Sequence, residues 1–296
     1  MVSLNNVDNK CRICPRICGV NRDIYSGFCG EKNTVRIAFS GIHRWEEPLI
    51  AGKGGSGAIF FCGCNLRCVY CQNYEISSGG KGYEISLEGL SDELVRLQNE
   101  GADNIDLVTA THFAHLLPKV ISDARNKGLT LPVVYNCGGY ESVEALRMLE
   151  DYVDIYMPDF KYADNALALK LSGAGDYAEK ALDALAEMKR QKPDVVENGI
   201  MKQGVLVRHL ILPGRLNNSR KVLSLLRDNF GEKTYISLMS QYFPPRTFED
   251  SLLNRRLTKL EKSRIEDFFF SLGFENGFVQ ELSSADEKYV PVWESK

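Results

Sequence analysis

The chain lacks any apolar run long enough to cross a bilayer, for which a helix needs about 20 consecutive apolar residues. Its first ten residues, MVSLNNVDNK, lack the basic stretch followed by an apolar stretch of a secretory signal peptide. An excess of one charge is also missing, since 36 Lys and Arg oppose 39 Asp and Glu, for a net charge of -3. These absences argue against a membrane protein, a secreted protein and a general nucleic-acid binder, and they favour a cytoplasmic location.

Cysteine is missing from roughly the last half of the chain, although the chain has nine in all. Four lie near the start, four lie between positions 62 and 71, and Cys137 stands alone. An odd number cannot pair completely in a monomer, and a reducing compartment does not favour a disulfide framework. We therefore expect metal binding, confined to the front of the chain.

Six short segments rich in β-branched and aromatic residues predict buried strands. They are GAIFFC (57–62), NIDLVTA (104–110), LPVVYNC (131–137), VDIYMPDF (153–160), GVLVRHLIL (204–212) and TYISLM (234–239). Amphipathic stretches at 91–101, 115–128, 140–152 and 177–191 predict helices between them. Repeated βα units indicate a parallel sheet, with too few strands for a complete eight-stranded barrel. An open partial barrel and a doubly wound sheet both remain, and both place chemistry at the carboxyl ends of the strands.

The chain divides by composition into three parts. Residues 1–45 contain four cysteines and predict a metal-binding module, and residues 46–245 contain the βα core. Residues 246–296 predict a mostly helical tail around LTKLEKSRIEDFFFSLG.

Three cysteines directly follow the first predicted strand. Cys64, Cys68 and Cys71 are spaced by four and three residues in CGCNLRCVYCQN (62–73). A structural zinc site wants four protein ligands, whereas three thiolates in one compact loop can ligate three irons of a cubane and leave the fourth iron open. Cys62 lies on the strand, where alternation directs it away from Cys64, so we expect a buried core residue there.

At these residues the sequence resembles a known family. C-x3-C-x2-C, with Tyr70 before the last cysteine, is similar to the signature of the radical S-adenosylmethionine (radical SAM) enzymes. The longer stretch FFCGCNLRCVYCQN resembles the activating enzymes of glycyl radical enzymes, such as that of pyruvate formate-lyase, and the resemblance covers most of 57–245. The nearest likeness is to a less characterised branch named after that activating enzyme, with an N-terminal segment like CRICPRICGVNR (11–22). The resemblance implies an α/β fold, a radical SAM partial (βα)6 barrel with an N-terminal Cys-rich module and a C-terminal helical tail.

The resemblance also implies an activity. A [4Fe–4S] cluster on Cys64, Cys68 and Cys71 would bind S-adenosylmethionine (SAM) at its open iron, and its reduction would yield methionine and a 5′-deoxyadenosyl radical that abstracts a hydrogen atom. A protein or peptide substrate is implied, such as a glycyl radical enzyme, with an electron donor such as flavodoxin or ferredoxin. A small molecule or another modified protein is the alternative substrate. A non-catalytic iron–sulfur or metal electron-transfer protein is a more distant alternative.

Asp159 and Lys161 end the fourth predicted strand and are two residues apart, so their side chains point to the same side. The related activating enzymes use a similar Asp-x-Lys for cofactor contacts, and we expect the same here; a surface ion pair is the alternative. Asn136 ends the third strand, where the relatives carry acid and hydroxyl residues near the cofactor. The sequence leaves open whether Glu46 and Glu47 line the site or only solvate a loop.

One departure from the family concerns the end of the second strand. The relatives carry Gly-Gly-Glu there, which holds the methionine amino group of SAM, whereas this chain has VTATH (108–112). Thr109, Thr111 and His112 are therefore the candidates to replace it. Thr111 could equally serve as an N-cap of the following helix.

Two further positions on later strands are candidates. Arg208 and His209 interrupt an apolar strand, and alternation sends one of them inward; we favour Arg208 toward cofactor or substrate. Gln241 and Tyr242 follow the sixth strand and are candidates for cofactor or substrate contacts, with loop packing as the alternative.

The N-terminal quartet Cys11, Cys14, Cys18 and Cys29 has the spacing C-x2-C-x3-C-x10-C. Four thiolates suit either zinc or a second [4Fe–4S] cluster, and the spacing does not separate the two. We favour the cluster, with zinc as the alternative.

Overall fold

The computed structural model describes residues 10–284 and 291–293 of the chain. Its strands are β1 (Arg36–His43), β2 (Ser56–Phe61), β3 (Tyr83–Glu84), β4 (Asn104–Val108), β5 (Val133–Cys137), β6 (Ile155–Pro158), β7 (Val195–Glu197), β8 (Ile200–Leu210), β9 (Tyr235–Met239) and β10 (Gly277–Val279). Its α-helices are α1 (Tyr74–Ser77), α2 (Leu87–Asn99), α3 (Leu117–Asn126), α4 (Val143–Leu149), α5 (Asn165–Ser172), α6 (Tyr177–Gln191), α7 (Leu216–Phe230) and α8 (Lys259–Ser271). Short 3-10 helices span Thr111–Phe113, Ser251–Asn254 and Leu282–Ser284.

The six predicted strands are all present and lie side by side in chain order. The order β2-β4-β5-β6-β8-β9 is parallel throughout. A doubly wound sheet needs a point at which the strand order reverses, and this run of strands has none. Right-handed crossovers repeated in one direction place the helices on one face of the sheet. The architecture is an open partial barrel, which confirms the predicted fold class.

Further strands extend the sheet at both ends of this run. β1 pairs antiparallel with β2, and β10 pairs parallel with β9. Both lie outside the predicted 46–245 core, and the sequence analysis missed them because they are short or only partly buried. The predicted helical tail does contain α8. The boundaries 1–45, 46–245 and 246–296 stay predictions.

Local sequence signals explain where several helices begin and end. α2 starts four residues before the predicted 91–101 segment because the Ser86 side chain accepts a hydrogen bond from the Gly89 amide. α5, which the sequence analysis did not predict, is capped by Asp164 and ends at Gly173 with φ +60°. Among the described residues, no helix combines the length and apolar character needed to cross a bilayer.

Strand alternation on β8 decides which side chains face the barrel interior. Val207 belongs to the main core, and His209 is fully buried, with its ring bonded to the carbonyl of Phe160 and the hydroxyl of Ser219 on α7. Arg208 therefore points to the opposite side, into the interior, where it lines a cavity. The favoured orientation of Arg208 is the one that the structure adopts.

Candidate functional site

A cavity of about 230 Å³ lies at the carboxyl ends of the parallel strands. This is the position at which parallel βα folds build their active sites. The loop after β2 contributes thiols to its wall, and β5, β6 and β8 contribute polar and charged groups. The polar lining includes Cys68, Cys71, Asn136, Asp159, Lys161 and Arg208.

Asp159 is the centre of a buried charged network in this cavity. Its Oδ1 accepts a hydrogen bond from Arg208 Nε at 3.0 Å, and its Oδ2 accepts one from Lys161 Nζ. Arg208 also donates to Asn136 Oδ1 at 2.6 Å. Burial by itself raises the pKa of Asp159, but the two cations hold that pKa below its ordinary value. The Asp159 and Lys161 side chains are 14% and 19% exposed, which excludes the alternative of a surface ion pair.

The three cysteines of the loop after β2 lie close to one another, and the sulfurs of two of them accept hydrogen bonds. Ser172 Oγ donates to Cys68 Sγ at 3.0 Å, and the Leu66 amide donates to Cys64 Sγ at 3.4 Å. Burial, with the neighbouring charge of Cys68, raises the pKa of Cys64 to about 12 and also raises the pKa of Cys71. The raised pKa values keep the thiols of Cys64 and Cys71 protonated without a metal, whereas metal ligation would deprotonate them.

The donor set of this loop fits an iron–sulfur cluster. Among residues 10–284 and 291–293, no group of three or more His, Cys, Asp or Glu side chains is placed around one metal ion. A cubane has a different requirement, because each thiolate binds its own iron atom. Three neighbouring thiols with hydrogen-bond donors on two of them meet that requirement, and cluster potentials depend on such hydrogen bonds.

Cys62 lies apart from this donor set, as expected. It is fully buried in a small apolar cluster with Ala58, Phe60 and Ile76. Its Sγ lies 3.1 Å from the carbonyl oxygen of Lys81. Cys62, which follows the end of β2, is thus a core residue, as predicted.

The Cys-rich module packs directly on the cluster loop. The Cys64 amide donates to the carbonyl of Cys29 at 3.1 Å. Gly63, with φ +77°, makes this approach possible, because a Cβ there would lie 2.6 Å from the Cys29 oxygen and 2.5 Å from Glu31 Cγ.

The N-terminal quartet lines a second, small cavity. Cys11, Cys14, Cys18 and Cys29 all contribute to its wall. The sulfurs of Cys18 and Cys29 each lie 3.4 Å from one point, the position that a Cβ on Gly27 would occupy. Burial raises the pKa of Cys11 and Cys29, and it raises the pKa of Cys14 to about 12. The chain therefore places four thiols, three of them buried and Cys18 half-buried, around one small space.

Tyr70 and Gln241 line the main cavity. Tyr70 accepts a hydrogen bond from the hydroxyl of Tyr162 at 2.9 Å, and the Gln241 carbonyl accepts one from Gln72 Nε2 at 3.0 Å. Tyr242 is fully buried and donates to a backbone carbonyl, so loop packing is the right interpretation for it.

Of the VTATH residues, Val108 lines the main cavity, whereas the candidates Thr109, Thr111 and His112 are not among its lining residues. Thr111 Oγ1 donates to the buried carboxylate of Glu141 at 2.8 Å, and His112 Nε2 lies 2.7 Å from the Cys62 carbonyl oxygen. Thr109 takes a left-handed φ of +63°, and His112 contributes instead to the wall of the quartet cavity. Thr111 lies within the 3-10 helix rather than capping it, so the N-cap alternative is wrong. A cofactor contact by these three residues stays a prediction.

Two acids line the main cavity, and a third, Asp106, is buried next to one of them. Glu46 and Glu47, left open by the sequence, both line it, with Glu46 3.5 Å from Arg208 and Glu47 accepting from Ser237 at 2.8 Å. Asp106 on β4 is fully buried, and burial together with Glu46 raises its pKa well above its usual range. Sequence reasoning missed Asp106, although an acid within the apolar run NIDLV was a usable signal.

Comparison with known proteins identifies the family. The profile of the Radical SAM superfamily matches residues 58–226. The chain belongs to the radical SAM superfamily. It is 28% identical over 271 residues to an uncharacterised protein of Methanocaldococcus jannaschii, covering 87% of this chain and 74% of the relative. It is 27% identical over 199 residues to the pyruvate formate-lyase-activating enzyme of Clostridium pasteurianum, covering 63% of this chain and 76% of that enzyme.

Solved structures with the same fold belong to radical SAM proteins. The chain matches anSMEcpe with bound AdoMet at a TM-score of 0.52 and 16% identity, over 71% of this chain and 57% of that one. It matches TsrM of Kitasatospora setae, a radical SAM methyltransferase, at a TM-score of 0.52 and 13% identity, over 78% and 55%. The chain therefore spans less than two thirds of either structure, and these matches concern the fold alone.

Membership of the superfamily has a consequence for the main cavity. This chain is a radical SAM enzyme that uses SAM, and the superfamily implies a [4Fe–4S] cluster. The loop of Cys64, Cys68 and Cys71 lies within the matched residues, and its donor set fits that cluster.

Proposed function

We propose that this radical SAM enzyme abstracts a hydrogen atom from a protein or peptide, in the manner of the glycyl radical activating enzymes. A single observation carries the proposal. One cavity is lined by Cys68 and Cys71 of the cluster loop and by Asp159, Lys161 and Arg208 from the strand ends. A mere electron carrier has no need of a charged cavity beside its cluster.

Each of these residues has a role in the proposal. Cys64, Cys68 and Cys71 would hold the cluster, which would supply the electron for reductive cleavage of SAM to methionine and a 5′-deoxyadenosyl radical. Burial alone would lower the pKa of Lys161, but Asp159 and Cys68 raise it, so Lys161 remains a cation beside the cluster loop. Lys161 suits the methionine carboxylate of SAM, and Asp159 suits its ribose hydroxyls.

Two observations support a macromolecular substrate. The related activating enzymes of Clostridium pasteurianum and Staphylococcus aureus cover 63% and 60% of this chain. Trp45 lines the main cavity and is 67% exposed, so the cavity opens to the surface beside a large aromatic side chain. Exposed aromatic side chains are favoured contacts for peptide segments. The proposal includes an electron donor such as flavodoxin or ferredoxin and a cytoplasmic location.

The proposal extends to the N-terminal module. Cys11, Cys14, Cys18 and Cys29 would bind a second metal group, either a [4Fe–4S] cluster or zinc. The four thiols on one small cavity support this assignment.

The decisive experiment measures SAM cleavage and the origin of the abstracted hydrogen. The reconstituted, dithionite-reduced protein is incubated anaerobically with SAM and with peptides that carry α-deuterated glycine. We expect 5′-deoxyadenosine containing deuterium. Absence of 5′-deoxyadenosine would favour the electron carrier, and cleavage with deuterium transfer only from small molecules would refute a peptide substrate.

A further inference from the structure

We propose that the quartet holds a redox-active iron–sulfur cluster, and that the Cys29–Cys64 hydrogen bond couples it electronically to the cluster loop. The inference rests on the proposed function, because it assigns an electron-entry route to the same site. Of the two metal groups that four thiolates could bind, the inference selects the iron–sulfur cluster. It also explains why the Cys-rich module packs against the cluster loop.

The contact between the two cysteine sets is direct. The carbonyl of Cys29, the last quartet residue, accepts the amide hydrogen of Cys64, the first residue of the cluster loop, at 3.1 Å. A path from one sulfur to the other therefore runs through the bonds of two cysteines and a single hydrogen bond. Gly63 allows the close approach, because a Cβ at that position would lie only 2.6 Å from the Cys29 oxygen.

Several contacts fix the module against the barrel. Arg16 Nε donates to the carbonyl of Asn65 at 2.7 Å, within the cluster loop itself. Ser142 Oγ donates to the carbonyl of Ile13 at 2.7 Å, between two quartet cysteines. These bonds hold the two cysteine sets at a constant separation, which a structural zinc site remote from the chemistry would not need.

The charge beside the quartet suits a group that accepts electrons. Arg22 lines the quartet cavity, is 3% exposed, and donates hydrogen bonds to the carbonyls of Glu31, Lys32 and His112. Four thiolates around either a zinc ion or a cluster leave a net negative charge, which the guanidinium offsets. Only a cluster becomes more negative on reduction, and a buried cation stabilises that reduced state.

The proposed route transfers one electron from the donor to the cluster loop, and the step is balanced. A low-potential donor of the flavodoxin or ferredoxin class gives up one electron and is oxidised. The group on the quartet takes that electron and then returns to its oxidised state as the electron passes to the cluster loop. The net result is one donor oxidised and the cluster at Cys64, Cys68 and Cys71 reduced by one electron.

The metal content is the first test. The full chain, reconstituted anaerobically, should contain about eight irons and eight sulfides, and Cys14→Ala should contain about four of each. Cys68→Ala, the matched change in the cluster loop, should keep an iron–sulfur signal that does not respond to SAM. About four irons with stoichiometric zinc in the wild-type protein would overturn the inference.

The reduction rate of the cluster loop is the second test. The SAM-responsive electron paramagnetic resonance signal is followed after mixing with reduced flavodoxin, and separately with dithionite. Cys14→Ala should lose reduction by flavodoxin while dithionite still produces the SAM-responsive signal, which also shows that the variant is folded. Equal rates with flavodoxin in the two proteins would overturn the inference.

A milder variant covers the case in which Cys14→Ala fails to fold. Arg22→Gln should shift the midpoint potential of the SAM-insensitive signal to a more negative value, and Arg22→Lys should shift it less. An unchanged potential in Arg22→Gln would overturn the assignment of that signal to the quartet. Neither the metal counts nor the potentials depend on turnover, so a wild-type protein with both clusters but no SAM cleavage would refute the proposed function alone.

Discussion

Arg208 and Asp159 meet across the neighbouring strands β8 and β6, with Arg208 Nε 3.0 Å from Asp159 Oδ1. Asp159 also forms an ion pair with Lys161, and Arg208 forms a second one with Glu46, so the four side chains make one charged network. Both partners are at most 15% exposed, so removing either one leaves a buried charge without its main partner.

Arg208→Gln should weaken SAM binding about tenfold, or roughly 1.4 kcal/mol, because it removes the guanidinium that positions Asp159, the proposed ribose contact. Equilibrium dialysis of the reconstituted protein against labelled SAM measures this. Arg125→Gln removes an exposed arginine that contacts Tyr152 and Asp154, and it should bind SAM normally. Unchanged affinity in Arg208→Gln would contradict a role of this side chain in the site.

Cys68→Ala should abolish the formation of 5′-deoxyadenosine, because an iron of the cluster loses its protein ligand. Cys62→Ala is the matched control, since Cys62 is fully buried in the neighbouring apolar cluster and should cost only some stability. Chromatography of quenched reactions quantifies the product. Equal product from Cys68→Ala and the wild-type protein would refute the assigned cluster site.

Gly63→Ala should destabilise the protein by more than Gly30→Ala. Both glycines have positive φ, +77° and +91°, so both variants carry backbone strain of order 1–3 kcal/mol. Only at Gly63 would the new Cβ also meet Cys29 and Glu31, whereas nothing lies within 4 Å at Gly30. Urea denaturation compares the two. A similar loss of stability in the two variants would mean that the Cys-rich module does not pack closely against Gly63 of the cluster loop.

Glu47 should make the stability of the fold depend on pH. Burial, with Glu46 adding to it, raises the pKa of Glu47 to about 7 from an ordinary 4.5. Between these values the folded protein keeps a proton that the unfolded chain has lost, so the free energy of unfolding falls as the pH rises. Glu47→Gln has no such proton, and its stability relative to wild type should rise by roughly 3 kcal/mol across this window.

Urea denaturation of the metal-free protein at a pH near the ordinary value of 4.5 and again above 7 measures this difference for Glu47→Gln and wild type. Glu197→Gln is the matched control, because Glu197 is exposed on β7 and should leave the wild-type pH dependence unchanged. A constant difference between Glu47→Gln and wild type would show that Glu47 titrates near its ordinary pKa.

The sequence alone determined the features that depend on local pattern. Apolar period and turn signals identified all six strands of the parallel run, because short β-branched segments between amphipathic helices have few other structures open to them. The spacing of Cys64, Cys68 and Cys71 after the first strand marked the site, since the covalent chain itself brings these thiols together. The sequence also predicted that the Asp159 and Lys161 side chains lie together, because residues two apart on a strand point to the same side.

Only the tertiary structure decided the relations between distant segments. Strand alternation carries no absolute phase, so the packing of His209 against α7 was needed to settle that Arg208 faces inward. Glu46 precedes β2 and Asp106 lies on β4, and only the fold brings their side chains together. The bond from Cys29 to Cys64 spans 35 residues of chain, a contact that arises because Gly63 leaves room for it. Long-range contacts of this kind depend on how whole elements dock, which no local pattern contains.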